Sequence, residues 1–240
     1  MGEINAGWLA GIIDGEGTIA LKINHNAKVV IPNTSRVMLE AVVSIVGGGV
    51  IKERDFTKYS SSRNSKLLYV LDLPRVNAIK TLKMTYNHLI DKKEEAELLL
   101  EYYMLMDHIN TYDAPTDLVT LRNTRINSIF WRLRLLNARG RYGKERVERE
   151  IIESQHRDIS REDITNRLPH PVSSWLPTEQ ILNRESELSW LAGIWDGEGT
   201  ISITKTKDRW EHPVRRGFNW RHQLAVYISS ITIIDRVIKI

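Results

Sequence analysis

Trp8-Leu9-Ala10-Gly11-Ile12-Ile13-Asp14-Gly15-Glu16-Gly17-Thr18-Ile19 recurs as Trp190-Leu191-Ala192-Gly193-Ile194-Trp195-Asp196-Gly197-Glu198-Gly199-Thr200-Ile201. Only Ile13 has changed, to Trp195, and every acid and glycine keeps its register. A repeat of this kind decides architecture before any other pattern in the chain. Leu9, Ile12 and Ile13 carry helical apolar spacing that stops at the glycines. Gly7, Gly11 and Gly15 recur at i, i+4 and i+8, and Ser189, Gly193 and Gly197 do the same in the second copy. Each set is a stripe of small residues along one helix face, which lets two backbones come close. We expect the two helices to pack along these stripes.

After each helix the chain turns at Gly15-Glu16-Gly17, or at its second copy, and enters a strand. Ile19, Leu21 and Ile23 alternate with Thr18, Ala20 and Lys22, and Ile201 and Ile203 alternate with Thr200, Ser202 and Thr204. If the helices pair, Glu16 and Glu198 meet at one end of the pair. Two carboxylates held close resist joint ionisation, and each lies at the negative end of a helix dipole. A divalent cation relieves both penalties. Oxygen ligands suit magnesium, manganese or calcium better than zinc. Asp14 and Asp196 read mainly as turn acids that bond local backbone. Trp8 and Trp190 read as packing residues.

At these residues the chain resembles the LAGLIDADG homing endonucleases, in their double-motif, single-chain form. The two copies are Leu9 to Gly17 and Leu191 to Gly199. The resemblance implies an α+β fold of two pseudo-symmetric αββαββ-type repeats, packed through the motif helices, whose sheets straddle duplex DNA. It implies that Glu16 and Glu198 bind metal, that the Gly15 and Gly197 carbonyls assist, and that the cofactor is Mg2+, with Mn2+ as an alternative. Further elements follow the same plan: a helix from Val37 to Val46 ending at Gly47-Gly48-Gly49, strands Val50–Asp55 and Lys66–Asp72, and helices Arg75–Tyr86 and Asp91–Tyr103. The stretch Leu89 to Leu98 resembles the family segment that carries a site-facing lysine. Aligned on Ala96 that lysine is Lys92, with its neighbour Lys93 as the alternative.

Charge points to a polyanionic partner. The net charge is +4 and the pI is near 9.2. Between Arg122 and Arg149 lie Arg122, Arg125, Arg132, Arg134, Arg139, Arg141, Lys144, Arg146 and Arg149, against Glu145 and Glu148. Leu118, Leu121, Ile129, Phe130, Leu133 and Leu136 give this stretch an apolar face. It reads as a docked helix followed by a basic loop from Asn137 to Tyr142, and the excess of one sign favours phosphate binding.

Two loops could read base edges, because a two-stranded ribbon fits the major groove and arginine pairs with guanine. The first tip runs from Asn24 to Lys28, flanked by Lys22. Its counterpart lies between strands Thr200–Thr206 and Gln223–Ser229, and its region holds Lys205, Lys207, Arg209, Arg215, Arg216 and Arg221 among Trp210, Phe218 and Trp220. Trp8 matches Trp190 at an offset of 182, while Met38 matches Ile233 at 195, so the second hairpin carries 13 extra residues. Unequal tips imply an asymmetric target. A further basic tip, Lys52 to Lys66, carries Arg54, Lys58, Arg63 and Lys66.

The expected domains are a first repeat over 1–106, a basic helical linker over 107–189, and a partial second repeat over 190–240. Ile233 to Ile240 matches Met38 to Ile45, which leaves the second repeat short of two strands, two helices and a counterpart of Lys92. In the linker, Arg149 to Asn166 is charged and helical in pattern, Pro169 to Pro177 is irregular, and Thr178-Glu179-Gln180-Ile181 resembles a cap. No stretch has transmembrane length, and no leader is expected before the motif helix. The absence of cysteine excludes disulfides and thiolate metal sites and fits an intracellular, reducing compartment. The seven histidines show no ligand spacing.

The leading expectation is a monomeric, sequence-specific, metal-dependent endonuclease of double-stranded DNA serving intron or gene mobility. Metal ions would activate water and stabilise the leaving oxygen, and Lys92 would help neutralise the transition state. The alternatives are an intron RNA maturase, which would bind RNA without needing Glu16 and Glu198, and an inactive DNA-binding remnant.

Overall fold

Apolar alternation and helical periodicity sort the first half into a four-stranded antiparallel sheet covered by helices. The computed structural model describes residues 3–22, 24, 26–54, 67–109, 114–154, 158–161, 164, 177–178, 182–207, 218–226 and 233, with backbone alone for 3–4, 198–207 and 218–226. Helix α1 (Glu3–Glu16) leads into β1 (Thr18–Leu21) and β2 (Ala27–Asn33). Then come α2 (Arg36–Val46), β3 (Val50–Arg54), β4 (Leu68–Leu73), α3 (Arg75–Thr85) and α4 (Lys93–His108). The strands lie in the order β1-β2-β4-β3, all antiparallel. This is the expected α+β class, with αββαββ order in the first repeat.

Register separates the two faces of the sheet. Thr18 pairs with Val30 and Ile19 with Val29, while Val29 pairs with Leu73 and Ile31 with Leu71. Ile19, Leu21, Val29, Ile31, Leu71 and Leu73 therefore share the face that is buried under helices. Thr18, Lys28, Val30, Pro32, Lys52, Arg54 and Asp72 share the opposite, open face. Ser35 caps α2 by accepting from the Met38 amide at 3.3 Å, and Gly47 ends that helix with φ 83°, a conformation suited to glycine.

Two helices follow the first repeat: α5 (Thr116–Leu136) and α6 (Gly140–Glu153). Helix α5 buries Ile126, Ile129, Phe130 and Leu133 in the common core, so the linker is docked as its apolar spacing predicts. Asn137, just past its end, donates to the Ile19 carbonyl of β1 at 2.8 Å and ties the α5–α6 corner to the sheet. Helix α6 stops at Glu153, and residues 158–160 are not helical, so the charged run through Asn166 is not one helix. Thr178 is not helical either, and its carbonyl accepts from Asn87. The Pro169–Leu176 stretch and residues 179–181 lie outside the described residues.

Helix α7 (Arg184–Glu198) carries the second motif and feeds straight into β5 (Gly199–Lys207), which pairs with β6 (Phe218–Val226). The second motif helix thus begins before the expected boundary at residue 190. The pairing of β5 and β6 also starts earlier than the sequence suggests. Lys207 faces Phe218 and Thr204 faces Arg221, so Phe218, Trp220 and Arg221 are strand residues rather than tip residues. Of the expected helix Ile233–Ile240 only Ile233 is described; it is helical and buried. Among the described residues no helix is long and apolar enough to cross a membrane.

Helices α1 and α7 cross along the two small-residue stripes. A Cβ added at Gly11 would lie 2.1 Å from the Trp190 carbonyl oxygen, and one at Gly193 would lie 2.0 Å from that of Trp8. Gly7 meets Ser186 and Ser189 in the same way. With the sheet and its helices on one side and α7 on the other, α1 is buried almost all round, which is why it is apolar all round.

Candidate nuclease site

The acids end their helices rather than sitting in a three-residue turn, which corrects the sequence reading. Helix α1 runs through Glu16, and only Gly17 separates it from β1; the Gly17 amide donates to the Ile13 carbonyl at 2.9 Å. Helix α7 likewise runs through Glu198, with β5 starting at the next residue. A Cβ at Gly197 would meet Glu16 Cγ at 3.2 Å, so the Glu16 side chain reaches the C-terminal end of α7. The two motif ends therefore meet, as the duplicated acids require.

Glu16 opens onto a groove lined by Asp14, Gly15, Thr18, Pro32, Asp91, Lys92, Glu95, Asn137, Arg139, Lys144 and Ile233. Thr18 and Pro32 belong to the open face of the sheet, so the groove is continuous with that face. Of the two adjacent lysines, Lys92 lies here, whereas Lys93 Nζ sits 5.0 Å above the Tyr86 ring. Lys92 Nζ donates to the Asp14 carbonyl.

Asp14 does not bond local backbone. It is 2% exposed, and its partners are distant in sequence. Oδ1 accepts from the Lys92 amide at 3.0 Å, and Oδ2 accepts from the Ile90 amide and from Trp190 Nε1, both at 2.9 Å. Burial pushes the Asp14 carboxyl above its ordinary value, and the bonds from Trp190, Ile90 and Lys92 offset part of that rise. The second copy mirrors one of these bonds: Trp8 Nε1 donates to Asp196 at 2.8 Å, but in the open. Both tryptophans pack, as expected, and each also donates across the helix pair. Glu95, one turn into α4, is raised as well, chiefly by burial, with Asp91 and Glu94 adding to the effect and Lys92 opposing it.

The basic stretch is only partly internal: Arg122 is buried and Arg125 and Arg134 are half-buried, whereas Arg132, Arg139, Arg141, Lys144, Arg146 and Arg149 are exposed. Arg122 donates to the Ile109 carbonyl, and Arg125 grips the buried Glu101 with two bonds at 2.7 and 3.0 Å. Arg132 pairs with Glu94, Arg134 with Glu150, Arg141 with Glu145 and Arg146 with Glu150. A count of charge cannot distinguish a solvated patch from a framework of ion pairs. Arg139 and Lys144, both named in the basic stretch, are exposed and line the groove beside Glu16.

Lys28 and Arg54 lie on the open face of the sheet, and Lys22 lines a neighbouring groove with Arg134, Arg139, Tyr142 and Arg146. Lys52, expected at the edge of a basic tip, is a β3 residue on the open face and pairs with Asp72 at 2.5 Å. Strand alternation from Val50 could have revealed that placement. Lys58, Arg63, Lys66, Arg209, Arg215 and Arg216 lie outside the described residues, and only the backbone is described for Glu198, Lys205, Lys207 and Arg221.

No family model matches the chain. No curated protein matches it either. Among solved structures, a lysine-to-alanine variant of I-SmaMI aligns over 98% of this chain and 71% of its own, at TM-score 0.52 and 18% identity. The chain has the LAGLIDADG homing-endonuclease fold. I-SmaMI bound to cleaved DNA aligns over 92% of this chain and 65% of its own, at TM-score 0.47 and 18% identity. The LAGLIDADG meganuclease I-AabMI, bound to uncleaved DNA, aligns over 91% and 65%, at TM-score 0.46 and 19% identity. This LAGLIDADG-fold chain thus spans about two thirds of the length of those two proteins.

The donors at the meeting of α1 and α7 suit a hard divalent cation. They are the Glu16 carboxylate and helix-terminal carbonyls, and no histidine, cysteine or methionine is among the described residues that line the groove.

Proposed function

We propose that this chain is a sequence-specific, divalent-metal-dependent endonuclease of double-stranded DNA, acting in intron or gene mobility. The observation that carries the reading is the meeting of two acid-terminated helices at a groove continuous with the open face of the sheet. Duplex laid on that face has its backbone within reach of Lys28 and Arg54, and a phosphate in the groove lies among Glu16, Lys92, Arg139 and Lys144.

Glu16, Glu198 and the carbonyls of Gly15 and Gly197 would hold Mg2+ or Mn2+. When bound, the cation supplies positive charge to the scissile phosphate and to its entering and leaving oxygens. Lys92 places a further cation in the same groove, where it counters charge developing on the phosphate. Arg139 and Lys144, from the α5–α6 corner, hold the flanking backbone. The basic tips, including Lys58, Arg63, Lys66, Lys205, Lys207, Arg209, Arg215, Arg216 and Arg221, would contact backbone and base edges. Because the small-residue stripes are consumed within one chain, a monomer suffices. The 1–106 repeat and the 190–240 partial repeat would each serve one half of the target, joined by the 107–189 linker.

The test is cleavage of a randomised duplex library in magnesium by this chain and by its Glu16→Gln/Glu198→Gln double variant. Discrete cuts absent in the variant are expected. No cuts, or identical cuts in both, would refute the reading; intron RNA binding retained by the variant would then favour a maturase.

A further inference from the structure

We propose that Asp14 is a positioning residue: it sets Lys92 in the motif groove and couples that lysine to the second motif helix. The kinetic part of this proposal rests on the nuclease reading. Asp14 holds Lys92 at both ends, since its carboxylate accepts the Lys92 amide at 3.0 Å and its carbonyl accepts Lys92 Nζ. The same carboxylate binds the Ile90 amide and Trp190 Nε1, both at 2.9 Å. One buried side chain thus joins three segments: the end of α1, the turn that starts α4, and the face of α7. Asp196, its counterpart, is exposed and is bonded to Trp8. The geometry also explains why Lys92 rather than Lys93 enters the groove. The backbone of residues 90–92 is held against α1, which leaves Lys93 directed at Tyr86.

Asp14→Asn tests the device, because an amide nitrogen cannot accept and must face at least one of the three N–H groups. Two readouts separate this role from plain stability. The first needs no DNA: the rate at which an amine reagent labels Lys92, referenced to the exposed Lys144 and resolved by mass spectrometry. Labelling of Lys92 is expected to rise in Asp14→Asn and to stay level in Asp196→Asn; an unchanged rate in Asp14→Asn overturns the proposal, whether or not the chain cuts DNA.

The second readout is cleavage. Asp14→Asn should lower kcat on the order of 100-fold with KM nearly unchanged, the scale set by an ångström-sized misplacement of a reacting group. In a Lys92→Met background it should lower kcat no further. An equal fall in both backgrounds overturns action through Lys92. A wild-type chain that cuts nothing defeats the nuclease reading and leaves the labelling result standing. If Asp14→Asn does not fold, Trp190→Phe removes one bond from the same carboxylate. Lys92 labelling should rise there too, and no rise overturns the coupling.

Discussion

Gly11→Ala puts the packing of the motif helices to a direct test. The added Cβ would lie 2.1 Å from the Trp190 carbonyl oxygen, whereas ordinary van der Waals contact for such an atom begins near 3.4 Å. About 1.3 Å must therefore be found. The obstacle is backbone, so no rotamer change relieves it. The Ile194 amide at 2.8 Å and Gly193 Cα at 2.9 Å block the neighbouring directions. The helices must separate, and a gap of ~1 Å forfeits up to about half of each dispersion contact along the interface. Overpacking of this kind costs about 3 kcal/mol. Replacing a helical glycine by alanine returns about 1 kcal/mol of propensity. A net loss of about 2 kcal/mol follows, a roughly 30-fold fall in the folding equilibrium. Gly197→Ala is the control, because among the described residues its Cβ meets only the flexible Glu16 side chain, at 3.2 Å. It should be neutral or slightly stabilising. Urea unfolding of both variants gives the comparison. Equal stability of Gly11→Ala and wild type, or equal losses in the two variants, would refute the close-packed stripe.

Other consequences follow from the same geometry. Trp190→Phe leaves a buried carboxylate oxygen of Asp14 short of one donor and should cost about 1–3 kcal/mol, while Trp8→Phe, whose partner is exposed, should cost less than about 1 kcal/mol; chemical denaturation that ranks them in reverse would refute the assignment. Arg125→Met leaves the buried Glu101 with Arg161 as its remaining cation and should cost about 1–3 kcal/mol, whereas Arg141→Ala, on the surface, should change stability by less than about 0.5 kcal/mol. Glu95 ionises at a higher pH in the folded protein than in the unfolded chain, so its contribution is present below the unfolded value and is lost as pH rises through the folded one. Glu95→Gln should therefore gain on wild type in thermal midpoint as pH rises from acid to neutral, and a flat difference would refute the shift.

The partners of Asp14 show where sequence reasoning stops. Its residue type suggested a turn acid, yet Ile90 and Lys92 lie 76 and 78 residues away and Trp190 lies 176 away. No local pattern encodes that convergence. The charges between Arg122 and Arg149 show a different limit. Their positions were legible, but whether each faces Glu94, Glu101, Glu150 or solvent depends on how α4, α5 and α6 pack. Lys92 stood between: a resemblance singled it out with Lys93 as the alternative, and the structure puts Lys92 in the groove and Lys93 over Tyr86.

The features legible along the chain are those that are local and periodic. The duplicated motif, its glycine spacing at one face of a helix, the alternation of β1 and β5, and the glycine that ends α2 each depend on a few neighbouring residues. By themselves they led to the pairing of α1 with α7, and through the family resemblance to the fold class. Which charges form ion pairs, the burial of Asp14 as a junction, and the shared groove of Glu16, Lys92, Arg139 and Lys144 emerge from packing alone. Burial and hydrogen-bond satisfaction are properties of the packed chain, and they exist only once segments remote in sequence have been brought together.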